Sequence, residues 1–161
     1  MTKRVVITGM GIISPIGNDV PTFWKNLVDG VCGIDYIHDF PTDGLPVKIA
    51  GKIKDFHPEE HGMDKAFGRK QDRFTQYGVA AAYEAMNQAG LVSEGEGQNI
   101  DPFRLGVYVG SGIGGFEIQF RETVKMIEDT TGQWISPLFI PTMISNIAAG
   151  HIAIKHQAKG P

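Results

Sequence analysis

Cysteine is all but absent. The 161-residue chain has one, Cys32, so no internal disulfide is possible and a reducing, cytosolic setting fits. Cys32 follows Val31 beyond a helix end, with no base or helix start beside it to activate the thiol, and reads as an inert packing residue. Long hydrophobic runs are missing too. No apolar stretch approaches the roughly 20 residues of a membrane span, so no membrane partner is expected. Lys3-Arg4 ahead of an apolar run mimics a signal peptide, but the run is short and broken by Gly9 and Gly11, and a first β-strand is the better reading. Neither sign of charge is in excess: the net charge of −3 gives no reason to expect a nucleic-acid partner. No metal-ligand set stands out. His57 and His61 have a helical ligand spacing, yet Pro58 stands where H-E-x-x-H needs glutamate and no third ligand is evident. His151 and His156 are five apart, share no helix face, and read as core or surface histidines.

Glycine, by contrast, is abundant: 21 residues, nearly twice the usual share of about 7%. The glycines fall at strand ends and loops, as in a loop-rich α/β protein. Their focus is Leu105 to Phe116. Leu105 to Val109 reads as a buried strand, Gly110-Ser111-Gly112-Ile113-Gly114-Gly115 as a loop, and a helical pattern starts at Phe116. Strand, glycine loop and helix is how α/β proteins place a ligand at the carboxyl end of a sheet. Gly110, Gly112 and Gly115 match G-x-G-x-x-G. The dinucleotide fingerprint also needs an acidic residue at the end of a second strand, about 20 positions on. Glu128 and Asp129 have that spacing but end a helix, so no dinucleotide is expected. Gly9 and Gly11 lack the third glycine and read as a tight strand-to-helix turn.

In chain order, Arg4 to Thr8 reads as a central strand covered on both faces. A helix follows, capped by Asn18 or Asp19, with Pro21 in its first turn, Phe23, Trp24, Leu27 and Val28 on one face, and Gly30 as its stop. Val31 to Gly62 is irregular, with room for one short strand in Val47 to Ile53. Met63 to Arg73 is polar and locally basic, a solvated surface or a patch for an acidic partner. Asp72 to Ala89 is the clearest helix, its many alanines implying deep burial, with Phe74, Tyr77, Ala81, Ala85 and Ala89 near helical spacing and Gly90 as its stop. Leu91 to Pro102 is an acidic loop around Glu94-Gly95-Glu96-Gly97. Phe116 to Asp129 is a helix with Phe116, Phe120, Val124 and Ile127 inward, and Thr130 to Gln133 is its exit. Trp134 to Pro141 is stiffened by two prolines and makes a poor strand. Thr142 to His156 reads as a second small-residue helix. Two or three strong strands are thin cover for two buried helices, so the sequence reads as part of a fold.

Several ordered blocks resemble one family. Val5-Val6-Ile7-Thr8-Gly9-Met10-Gly11 with Ser14-Pro15-Ile16-Gly17 looks like the opening of the β-ketoacyl-acyl-carrier-protein synthases. Arg69 to Tyr77, Gly110 to Gly115, Ser136 to Pro141 and Asn146 to His151 continue the resemblance, and Gly160-Pro161 closes it. Ile113 and the Ser-Pro-x-Phe segment are similar to synthase II rather than synthase I. The resemblance implies a thiolase-like α/β fold, layered αβαβα with mixed sheets, of which residues 1–161 form part of the N-terminal half without an internal domain boundary. It implies a cytoplasmic, homodimeric acyltransferase of fatty-acid elongation that uses no cofactor and whose partner is acyl- or malonyl-loaded acyl carrier protein. The implied reaction is a decarboxylative Claisen condensation on a cysteine thiolate, assisted by two histidines. In the family that cysteine comes shortly after the Gly-Pro and the histidines later still. The chain to Pro161 is therefore expected to hold no catalytic residue and to be inactive alone.

The resemblance assigns substrate roles instead. Ile113 matches the bend of the acyl pocket, where a side chain must shift for longer chains, and a glycine on either side is expected to make that movement cheap. Phe139 matches an aromatic that reaches across the dimer interface to line the partner's pocket. Arg69 and Lys70, with Lys65 at a looser match, correspond to the basic patch that meets carrier protein. Gln71 stands where the family often has methionine. Two other readings stay open: a non-catalytic chain-length factor of polyketide synthesis, which shares most of these motifs, and a nucleotide-binding module built on Gly110 to Gly115.

Overall fold

The computed structural model describes residues 3–93, 95–129 and 135–161. Along the chain these form α1 (Val20–Val28), a hairpin of β1 (Ile34–Tyr36) and β2 (Ile49–Gly51), α2 (Lys65–Lys70), α3 (Arg73–Ala89), α4 (Phe116–Glu128), α5 (Phe139–Met143) and α6 (Ile147–Lys155), with short 3-10 turns at Pro58–His61 and Pro102–Arg104. The hairpin is antiparallel, Ile34 opposite Gly51 and Tyr36 opposite Ile49. No helix among the described residues is long and apolar enough to cross a membrane.

α3 is the axis, and its ends are where the sequence puts them. Asp72 caps its start and Gly90 its end, at φ 64° in the left-handed region that glycine tolerates. α6 packs along it. Gly78 leaves room for the Ala148 methyl, 3.7 Å from where a Cβ would stand, so the two backbones approach closely. Val79 and Ala80 of α3, Ile152 of α6 and Met63 form the buried apolar cluster, with Phe56, Phe67 and Val107 against it. Burying a side chain such as Val79 contributes roughly 1.5–3 kcal/mol.

The alanines on the other side of α3 receive the N-terminal segment. A Cβ on Gly9 would stand 2.0 Å from the Ala85 carbonyl oxygen, and one on Gly11 1.9 Å from that of Ala81. One turn further along, polar side chains grip the same segment. Gln88 Oε1 accepts the Met10 N–H (2.6 Å), and the Glu84 carboxylate accepts those of Ile12 (3.0 Å) and Val20 (2.7 Å).

Several expectations need correction. Arg4 to Thr8 and Leu105 to Val109 belong to no sheet among the described residues. Val5 is 96% exposed and Tyr108 86% exposed, and a groove of about 560 Å³ over α3 is lined by Gly9 to Gly11 and by Leu105 to Gly110. An apolar run becomes a strand only when another strand takes up its hydrogen bonds; among the described residues the Leu105 run receives a bond from Gly160 N–H (2.9 Å) but joins no ladder. The layered mixed sheet is thus not closed within the described chain. α1 forms as expected, capped by the Asp19 side chain on Thr22 N–H, but Trp24, Leu27 and Val28 face outward. On α3 the deepest face carries Thr75, Gln76, Val79 and Ala80 rather than the predicted aromatic and alanine row. α4 spans the expected residues with its faces exchanged: Phe116, Phe120 and Ile127 are exposed, while Ile118 and Glu122 are buried. The single helix expected from Thr142 is two, parted at Ile144 where the backbone turns extended (ψ 142°).

The irregular stretch from Val31 contains the hairpin, of which only the Val47 to Ile53 strand is anticipated. Met63, read as part of a polar surface, lies in the core at 6% exposure. Cys32 is exposed rather than packed, its Sγ 3.7 Å from the Ile34 carbonyl oxygen. His61 stacks on Phe56 (ring centroids 5.1 Å), and His151 meets the Phe67 ring edge-on (5.0 Å). Burial holds the pKa values of both His151 and His156 below the ordinary range. Among the described residues no cluster of acidic, histidine or cysteine side chains could hold a metal ion. The readings of Glu94, of Thr130 to Gln133 and of Trp134 lie outside the described residues.

Close backbone contact at Gly11 leads to a prediction. In the full-length protein Gly11→Ala forces a methyl against the Ala81 carbonyl and lowers the unfolding free energy by about 3 kcal/mol. Gly150→Ala, inside α6 with open space at its Cβ, instead raises stability by up to about 1 kcal/mol. Chemical denaturation reads both; equal effects would sink the packing argument.

Candidate functional site

The sequence-predicted residues fall on three neighbouring elements. Lys65, Arg69 and Lys70 share the short helix α2, started by Asp64, whose carboxylate accepts the Phe67 N–H at 2.6 Å. Its last carbonyls are held from α3: Gln76 Nε2 donates to the carbonyls of Gly68 and Gln71, both at 2.8 Å. Arg69 and Lys70 sit in the last turn, where cations complement the helix dipole. Lys65, Arg69 and Lys70 are exposed and, among the described residues, form no ion pair.

Arg69 also lines a cavity of about 260 Å³ together with Arg73 and Arg121. Arg73 Nε lies 3.4 Å from Glu117, and the Tyr77 side chain holds the guanidinium even more firmly protonated than usual. The three guanidinium groups share this depression with the carboxylates of Asp72 and Glu117, so part of their charge is met within the chain. Arg73 lies in the basic stretch the sequence shows. Arg121 carries no signal there, because its approach depends on where α4 packs.

The glycine loop leads from this cavity to the predicted acyl-pocket residues. Ile113 stands 71% exposed at its tip. A Cβ on Gly110 or Gly112 would meet nothing within 4 Å. Gly114 differs: its φ is 86°, and a Cβ there would lie 2.5 Å from the Met143 carbonyl oxygen. That carbonyl accepts the Gly115 N–H at 2.8 Å, which ties the loop to the end of α5. The expected freedom on both sides of Ile113 therefore exists on the Gly112 side alone. Phe139 opens α5, half-buried, its N–H donated to the Ser136 carbonyl at 2.9 Å.

Two buried carboxylates hold these parts together, and sequence reading passes over both bonds that matter. Asp72, 6% exposed, accepts the Phe74 N–H at the start of α3 (3.2 Å) and the Ile118 N–H in the first turn of α4 (2.9 Å). A helix N-terminus after a glycine loop is an anion site when its amides are free. Here a carboxylate of the chain itself takes one of them, a physical argument against a pyrophosphate at Gly110 to Gly115. Glu122, 3% exposed, accepts the Ser136 N–H at 3.0 Å. The Lys125 ammonium first, and then that amide, hold its carboxyl below the ordinary range despite burial. Asp72 is legible as a helix cap. Its second bond spans 46 positions and leaves no local trace.

Comparison with known proteins places this geometry. The family profile described as "Beta-ketoacyl synthase, N-terminal domain" matches residues 2–161. The 3-oxoacyl-[acyl-carrier-protein] synthase 2 of Staphylococcus aureus (strain COL) is 46% identical over 160 residues, which cover 99% of this chain and 37% of that protein. The chain thus spans little more than a third of the length of the curated relatives it matches. Among solved structures, the ishigamide ketosynthase/chain length factor superposes with a TM-score of 0.83 at 24% identity, over 96% of this chain and 38% of that one. A type II polyketide ketosynthase, solved bound to the hexaketide and in complex with its acyl-carrier protein, gives 0.77 at 26% identity, over 100% and 42%. The thiolase-like ketosynthase fold read from the sequence is the fold of these neighbours.

The double cap at Asp72 is open to test. Asp72→Ala in the full-length protein leaves two helix-start amides without an acceptor and costs about 3 kcal/mol of stability. Asp72→Asn keeps one acceptor oxygen and costs about half as much. A loss under about 1 kcal/mol for the alanine variant, read by denaturant unfolding, would show that solvent replaces the carboxylate.

Proposed function

The chain belongs to the β-ketoacyl synthase family, and from that premise we propose that it is the N-terminal portion of a 3-oxoacyl-[acyl-carrier-protein] synthase 2 of fatty-acid elongation. The observation that carries the reading is the 46% identity to a synthase of that name across nearly the whole chain. The same observation favours a condensing enzyme over a chain-length factor, since the neighbour whose name includes such a factor is 24% identical and speaks for fold alone.

The full-length enzyme joins an acyl group held on a cysteine thiolate to malonyl-carrier protein. Carbon dioxide leaves the malonyl group, and the carbanion so formed attacks the acyl thioester carbonyl. The thiolate departs and a 3-oxoacyl-carrier protein remains. The residues of this chain serve substrate and partner. Lys65, Arg69 and Lys70 form a cationic docking patch for an acidic carrier protein, and their lack of ion-pair partners within the described chain leaves their charge available to it. Ile113 stands at the bend of the acyl pocket, on a loop free to yield at Gly112. Phe139 lines the pocket of a second subunit in a cytoplasmic homodimer. The apolar surface left bare by Phe116, Phe120, Tyr108 and Ile127 supports burial against the rest of the enzyme and its second copy.

Condensation of acyl-enzyme with malonyl-carrier protein by the full-length protein tests the assignment. A protein that decarboxylates or binds carrier protein but never forms the 3-oxoacyl product would be a factor, not a synthase. Within that assay Ile113→Phe reduces kcat/KM for long acyl chains by about tenfold or more, the scale of a filled pocket, while short primers are spared. An equal loss at every length would remove Ile113 from the pocket. Charge reversal of Arg69 and Lys70 to glutamate raises the Kd for carrier protein by about tenfold at low ionic strength, and the difference shrinks as salt screens it. Unchanged affinity at low salt would return the patch to ordinary solvated surface.

A further inference from the structure

Glu122 belongs neither to the cationic cavity nor to the glycine loop, yet it is among the most buried charged groups described, at 3% exposure. One carboxylate oxygen receives the Lys125 ammonium at 2.8 Å, with Arg121 Nε at 3.7 Å beside it. The other receives the Ser136 N–H at 3.0 Å, from a segment 14 positions along the chain. The two cations are about half exposed, so water would solvate them without Glu122. The amide of Ser136 has Glu122 as its acceptor. A buried carboxylate is costly to keep, and it earns a place where it fixes one arrangement over others.

What it fixes is the root of α5. Ser136 accepts the Leu138 N–H on its hydroxyl (3.2 Å) and the Phe139 N–H on its carbonyl (2.9 Å), so the turn that launches Phe139 is built on Ser136. The far end of α5 is held separately by the Gly115 N–H on the Met143 carbonyl. α5 is therefore clamped to the α4 side at both ends, once by Glu122 and once by the loop that carries Ile113. Removing one clamp leaves the helix attached and lets its first turn move.

We propose that Glu122 is a positioning residue for acyl-chain selection: by holding Ser136 it sets where the Phe139 ring stands, and hence which chain lengths are accepted. The inference rests on the acyl-pocket reading of Phe139. It differs from that reading in naming a residue that touches no substrate and acts through a backbone amide.

The test is the ratio of kcat/KM for long and short acyl-carrier primers in the full-length enzyme. Glu122→Met keeps the volume and removes both acceptors. It moves the long-to-short ratio toward one by about fivefold or more, the scale of one net hydrogen bond. Glu122→Gln keeps an oxygen for Ser136 while losing the charge, and it retains the wild-type ratio within about twofold. Should Glu122→Met fail to fold, Ser136→Pro, which removes the donated N–H together with the hydroxyl that accepts Leu138 N–H, carries at least the same expected shift. A well-folded Glu122→Met with the wild-type ratio overturns the proposal, as does a glutamine variant as unselective as the methionine one. Ile113→Phe run in parallel separates the two readings. If it discriminates by length and Glu122→Met does not, only the positioning role falls. If neither variant nor Phe139→Ala alters the length profile, the acyl-pocket reading itself falls.

Discussion

The carboxylate of Asp72 begins two helices at once. One oxygen accepts Phe74 N–H at the head of α3 and the other accepts Ile118 N–H in the first turn of α4. Both amides would otherwise be orphan donors at a half-closed helix end, and at 6% exposure Asp72 leaves little room for water to replace it. The bond fixes the angle at which α4 leaves the glycine loop. It also anchors the chain just after α2, so the cationic helix and the loop bearing Ile113 share one fixed point.

From that point the construction uses backbone contact more than apolar bulk. Gly9 and Gly11 lie on the carbonyls of Ala85 and Ala81, Gly78 admits Ala148, and Gly114 and Gly115 lie against Met143 and Thr142. Apart from Gly78, whose Cβ would meet Ala148 at an ordinary 3.7 Å, these contacts tolerate no added methyl group. They hold loops in place with little buried volume, which suits a molecule whose buried apolar cluster is small. The larger apolar side chains stand on the outside instead, on the segments around Val5 and Tyr108 and on the outer face of α4. In the proposed enzyme those surfaces are interior.

The site as a whole is a chain of clamps between the proposed docking patch on α2 and the proposed pocket wall at Ile113 and Phe139. Gln76 holds the end of α2, Asp72 joins α3 to α4, Gly115 joins the loop to α5, and Glu122 joins α4 to Ser136. Every clamp uses a backbone N–H or carbonyl on at least one side. Side chains such as Ile113, Phe139 and Arg69 are therefore placed by bonds in which they take no part.

Local chemistry decided much of this protein by itself. Asp19 with Pro21, Asp72 and Gly90 mark helix ends that the folded chain keeps, since a cap is satisfied within a few residues of where it is written. The ordered blocks from Val5 to Pro161 carried the family and its fold. Which face of a helix is buried was not legible. The α4 stripe of Phe116, Phe120 and Ile127 is apolar at the expected period, yet Ile118 and Glu122 face inward, because periodicity names a face without naming its neighbour. The runs at Arg4 and Leu105 have strand-like sequences and no ladder among the described residues, because a strand needs a partner in register and the bond from Gly160 N–H to the Leu105 carbonyl does not extend into one. Tertiary structure alone decided the second bond of Asp72, the burial of Glu122 and the approach of Arg121 to Arg69. Each joins residues far apart in sequence, and only the packed chain sets the distance between them.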